Sequence, residues 1–154
     1  MVKKIFVASF FLCGIIFYLS LPKIFLSAEI EGKEKILRVI DAREGAPIEI
    51  KFIHSVQKTP VFEELEFYSG EFVLRRTKYQ SQGVGLPFSE CDGNFHREGN
   101  FFVMDNMNRH FKEINLRSGV GSKLCVNFGG EEIRLYELFP LGTKFNIRQG
   151  NNFR

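Results

Sequence analysis

The chain contains no tryptophan, three cysteines and three histidines among its 154 residues. Cys13, Cys91 and Cys125 form no Cys-x-x-Cys redox pair and no zinc-knuckle spacing, and no metal site or cofactor is implied. No Gly-x-Ser-x-Gly occurs, which removes the nucleophile elbow of the α/β-hydrolases. The glycine-rich stretch at 81–87 lacks both a Gly-Lys-Ser/Thr and a third glycine opening a helix. It is therefore neither a nucleotide-hydrolase phosphate loop nor a dinucleotide fingerprint. Acidic residues are missing from positions 1–28, which hold Lys3, Lys4 and Lys23. The other 18 of the 21 basic residues then balance all 18 acidic ones. A neutral domain offers no basic stripe to a phosphate backbone, so nucleic-acid binding is excluded. After residue 28 there is no sustained helical period, no internal repeat and no low-complexity tract.

Phenylalanine is abundant, at 18 residues, in a chain that is 44 % apolar and 25 % charged. That composition suits a packed β core. Residues 5–21 are uncharged and apolar and end at Pro22-Lys23. As a helix these 17 positions would rise about 26 Å, slightly short of a hydrocarbon core of about 30 Å. The run is longer than a typical secretory apolar region. Two readings stand: a signal anchor, extended by Ile24-Phe25-Leu26, or a signal peptide cut after Ala28 at Leu26-Ser27-Ala28. The sequence favours the anchor, and the lysines ahead of the run place the following domain outside the cytoplasm. The expected organisation is a leader over 1–28 and an extracytoplasmic β domain over 29–154, with 29–35 as linker or strand entry.

From residue 35 onward, short alternating patterns recur every 8–12 residues with turn chemistry between them, the pattern of an all-β sandwich or barrel. The expectation is one antiparallel β domain after an N-terminal hydrophobic helix. Gly129-Gly130, between two strand-like runs, is a hairpin signal. Residues 88–99 read as irregular and 131–138 as a strand. Alternation puts Ile48, Ile50, Phe52 and His54 on one face of a strand, and Val61, Glu63, Leu65 and Phe67 on one face of the next. If the register allows, His54 and Glu63 meet across the ladder. A carboxylate beside an imidazole fixes its tautomer and suits it to proton transfer or ligand grip. The competing reading is a structural pair closing the hairpin end. Gly83 and Gly85 permit close backbone approach or an anion-binding nest, against a plain turn from strand to loop. Lys58 is a possible counter-charge for a small anion. Arg75, Arg76 and Lys78 read as a solvated strand face. Cys91 and Cys125 can bridge if the domain is exported; two separate thiols are the other reading.

Two stretches resemble a known family. His54-Ser55-Val56-Gln57-Lys58-Thr59-Pro60-Val61-Phe62-Glu63-Glu64 is similar to the His-Ser-Val-Glu-Lys-Thr-Pro-Val-x-Glu signature of the family called domain of unknown function 1850. Tyr79-Gln80-Ser81-Gln82-Gly83-Val84-Gly85-Leu86-Pro87 resembles its Tyr-x-Ser-x-Gly-x-Gly-Leu-Pro. The resemblance runs over about residues 36–148, and Gln57 stands where the family often has glutamate. It implies an extracytoplasmic accessory of TRAP-type organic-anion uptake. The leader, the neutral domain and the glycine loop add the expectation of a pocket between the His54–Glu63 strands and the 81–87 loop that contacts a small carboxylate or a transporter component. His54, Lys58, Glu63, Tyr79, Ser81, Gly83 and Gly85 are the candidate ligand-binding residues. The first reading is non-enzymatic. A small hydrolase or isomerase using His54 and Glu63, and a purely structural domain, are the alternatives.

Overall fold

The computed structural model describes residues 22–83, 86–87 and 93–150. The apolar run at 5–21, and with it the expected N-terminal helix, lies outside them, as do Gly85 and Cys91. No helix among the described residues is long and apolar enough to cross a membrane.

The described chain is almost entirely antiparallel β structure in two sheets. The smaller sheet contains β1 (Lys23–Ile30), β2 (Lys33–Asp41), β9 (Glu113–Arg117) and β12 (Lys144–Gly150), in the order β2-β1-β12-β9. The larger runs β11-β10-β3-β4-β5-β7-β6, with β8 also paired to β5. Its strands are β3 (Ala46–Ile53), β4 (Pro60–Tyr68), β5 (Glu71–Tyr79), β6 (Asn94–Glu98), β7 (Phe101–Asp105), β8 (Arg109–Phe111), β10 (Cys125–Phe128) and β11 (Glu131–Arg134). A single helical turn, α1 (Leu135–Leu138), follows β11 where the sequence suggested continued strand. Gly129 and Gly130 both take positive φ at the β10–β11 turn, as a primed hairpin turn requires.

Strand β1 departs most from the sequence expectation. Residues 23–28, read above with the leader, form an interior strand paired to β2 on one side and β12 on the other. Six consecutive residues from Lys23 to Ala28 are buried. Ile24, Leu26 and Ala28 enter the core, while the other face is covered by polar neighbours. The Ser27 hydroxyl donates to Glu34 at 2.7 Å, and the Arg148 guanidinium lies over the Phe25 ring. A strand covered on both faces does not alternate, so it reads as a continuation of the apolar run before it. Strand β6 is the converse case. Its residues are polar because it is an exposed edge, and it therefore read as irregular chain.

The alternation in β3 and β4 holds. Pairing sets Ile50 opposite Glu63, Phe52 opposite Val61 and Ile48 opposite Leu65, all on the inner face. Side chains from both sheets share one core there, with Ile24, Leu26, Phe145 and Ile147 against Ile48, Ile50, Leu65 and Phe67. Val61, Tyr79 and Leu86 make a second, smaller cluster with Phe52 and Phe102. The outer face of the large sheet carries ion pairs. Lys51 meets Glu132 at 2.6 Å, Arg75 meets Glu66 at 2.7 Å, and Arg76 and Lys78 reach Glu98.

Candidate functional site

His54 follows β3 and opens the turn to β4. Its N–H donates to the Thr59 carbonyl at 2.9 Å, and the Lys58 N–H returns to the His54 carbonyl at 3.0 Å. These two bonds close residues 55–58 into a tight loop. Lys58 takes φ 55° to complete it, a left-handed position where glycine is usual. The His54 ring occupies the turn as a helix-capping side chain would. Its Nδ1 accepts from the Val56 N–H at 3.3 Å and the Gln57 N–H at 3.2 Å. Acceptance at Nδ1 assigns the proton of the neutral ring to Nε2.

The glycine-containing loop packs on the far edge of that ring. A methyl group at Gly83 would lie 3.1 Å from Gln57 Cγ, 3.2 Å from His54 Cε1 and 3.4 Å from His54 Nε2. Gly83 is thus required by close approach and not by a left-handed backbone. The Ser81 hydroxyl donates to Gln57 Oε1 at 3.3 Å, a role a glutamate carboxylate would fill equally. The Leu86 N–H closes a turn onto the Gly83 carbonyl at 3.2 Å. Leu86 then packs on Val61 and Tyr79, and the buried Tyr79 hydroxyl donates to the Pro87 carbonyl. Turn and loop form a clasp that meets at one imidazole edge, with Gly83 against the ring. The Thr59 hydroxyl oxygen, on the residue facing His54, is buried and finds no hydrogen-bond partner among the described residues.

Glu63 is not part of the clasp. With His54 facing Thr59, Glu63 sits four residues further along β4, about 13 Å at the rise of a strand, opposite Ile50 and Thr77. The register that places it there follows from the four-residue turn. The His54–Glu63 pair expected from parity therefore shares a face but not a contact. Glu63 lies in the row between the two apolar clusters, and no hydrogen bond to its carboxylate is found among the described residues. Burial raises its pKa above the ordinary carboxylate value, opposed by the charge of Arg109.

Two motifs separated in sequence but joined on one imidazole are a specific arrangement. The family described as Domain of unknown function (DUF1850) matches residues 48–135, more than half of the chain and all of the clasp. The chain belongs to this family. No curated protein and no solved structure matches it.

Within this DUF1850 domain the candidate residues divide. His54, Ser81 and Gly83 come together, joined by Gln57, whose role as the acceptor for Ser81 had no signal beyond its place in the motif. Tyr79 supports the loop from beneath, and burial raises its pKa. Lys58 is exposed on the turn, and Glu63 stands apart. Cys125 is a buried free thiol on β10, its Sγ donating to the Lys123 carbonyl at 3.4 Å, with burial raising its pKa. The proposed partner Cys91 is outside the described residues. His96 and His110 lie beside carboxylates, at 3.2 Å from Glu98 and 2.9 Å from Glu71.

Proposed function

We propose that this is a membrane-tethered, non-enzymatic accessory domain of TRAP-type organic-anion uptake that contacts a transporter component through the turn its family motifs hold rigid. The observation that carries the reading is how His54 is used. Its Nδ1 is taken by two backbone amides, its other edge packs on Gly83, and the acid that would orient a catalytic base lies four residues away. Glu63 is not the partner of this ring, and the motif side chains around it fix a shape.

The clasp presents the tip of the 55–58 turn, where Val56 is 73 % exposed beside exposed Lys58. The neighbouring loop at 118–122, joined to β3 by the Ser122 carbonyl at 2.6 Å from the Ile53 N–H, presents exposed Val120. Leu141 is exposed on the loop bonded to Ser118. Apolar side chains gathered on loop tips at one end suit a protein contact. Strand β1 starts at the opposite end, one residue after Pro22, so a helix over 5–21 would hold the domain on the membrane with these tips pointing away from it.

The test is affinity capture of the full chain from its own membranes, using wild type, Val56→Asp and Lys58→Glu. Capture of a transporter component by wild type, lost in either variant at unchanged melting temperature, is the expected result. Equal capture by all three contradicts the proposal. So does loss of a chemical turnover in His54→Ala with the fold intact, which would restore the hydrolase or isomerase reading.

A further inference from the structure

A cleft of about 260 Å³ opens between the two sheets at the end where β1 begins. Ile24 and Ile40 line it from the small sheet, Ile48 and Phe128 from the large one, with Asp41 and Arg43 at the mouth. Its walls are mainly apolar and give water few partners. The same mouth is where the preceding chain arrives. The Ala42 N–H donates to the Pro22 carbonyl at 3.1 Å, and Lys23 Nζ meets Asp41 at 2.6 Å. The apolar run at 5–21 therefore ends three residues before the first cleft residue, Ile24. Arg43 reaches Asp41 at 3.3 Å with its side chain 80 % exposed. Glu44, the adjacent acid, has its carboxylate on the Ser69 N–H.

We infer that this cleft takes an acyl segment of an anionic bilayer lipid, with Arg43 at the headgroup. The inference rests on the tether proposed above. A strand that starts directly after the membrane run holds this end of the sheets at the headgroup layer. An apolar slot with a cationic lip is then presented to the one ligand that is abundant there. Lipid held in the slot would fix the tilt of the domain on its tether and so the direction in which the 55–58 turn points.

The experiment uses the full chain in bilayer discs containing an anionic lipid with a photoreactive group in its acyl chain, or the zwitterionic counterpart, with cross-links mapped by peptide. Alkaline extraction is run in parallel. The expected result is labelling of peptides covering 40–48 and 128–129. Arg43→Glu should reduce it about fivefold or more for the anionic lipid, the scale of one basic charge at such a surface, and far less for the zwitterionic one. Ala46→Phe, which fills the cleft, should reduce both. If Ala46→Phe does not fold, Arg43→Glu still decides. Integral membrane behaviour with no label on those peptides, or with label unchanged in Arg43→Glu, overturns the inference and leaves the tether standing. Release of the chain at alkaline pH overturns the tether and the inference with it.

Discussion

Gly83→Ala tests the clasp by the sign of its effect. Gly83 does not occupy the left-handed region, so alanine brings no backbone strain there. On an uncrowded loop this substitution would stabilise the fold by about 0.4–1 kcal/mol, through the unfolded chain's lost freedom. Here the added methyl meets Gln57 Cγ at 3.1 Å and His54 Cε1 at 3.2 Å. Gln57 is exposed and can swing aside. His54 cannot, because two amides hold its Nδ1. Overpacking against a fixed neighbour costs about 1–3 kcal/mol, so the net effect is destabilisation of about 1 kcal/mol. For a chain of this size that lowers Tm by about 2–4 °C. The assay is thermal unfolding of the full chain in detergent, in wild-type and His54→Ala backgrounds. With the ring removed the penalty should vanish or reverse, giving a coupling between the two positions. A higher Tm for Gly83→Ala alone, or an equal penalty with and without His54, would refute the packing argument.

The other predictions concern the strand, the buried acid and the strained turn. Leu26→Ala should cost about 2–5 kcal/mol as a core truncation, read by denaturant unfolding. A chain starting at Glu29 should fail to fold, because it lacks an interior strand; cooperative unfolding of that shortened chain would contradict the placement of β1. Glu63 has a raised folded pKa, so the folded state binds its proton more tightly than the unfolded chain does. Its contribution is most favourable below the ordinary carboxylate pKa and is lost as pH rises from there through the folded pKa. Glu34, Asp41, Glu98, Glu113 and Glu132 have lowered values and lose stability as pH falls, so the Glu63 effect must be read as wild type minus Glu63→Gln. Glu63→Gln should gain on wild type as pH rises, and parallel curves would refute this. Lys58→Gly should be neutral or stabilising by up to about 1 kcal/mol, because glycine relieves a left-handed residue. A clear loss in chemical denaturation would show that the lysine side chain supports the turn.

The inner faces of β3 and β4 were legible in the sequence because one side is buried and the other solvated, so Ile48, Ile50 and Phe52 alternate with polar residues. The β10–β11 hairpin was legible because Gly129-Gly130 is a local turn instruction. Strand β1 was not, since burial on both faces erases alternation and an apolar run abuts it. The clasp was half legible. The two motifs stood out as stretches, but which groups meet depends on register, and register depends on a turn that His54 caps with its own ring. A four-residue turn pairs residue 54 with 59 and therefore 50 with 63. Counting from the turn separates His54 from Glu63, where parity alone had joined them. Gly83 was singled out for backbone freedom as well as for close approach, and only the approach is used. That distinction appears only once the neighbouring ring is placed.

The most direct measurement is the tautomer and surroundings of the His54 ring in a nitrogen-edited NMR spectrum of the neutral protein. The account predicts an unprotonated Nδ1 coupled to the Val56 and Gln57 amides, with the Cε1 proton in dipolar contact with the Gly83 α-protons. A proton on Nδ1, or ring signals that move on Glu63→Gln while those of Gly83 stay fixed, would mean that the imidazole faces the acid and not the loop.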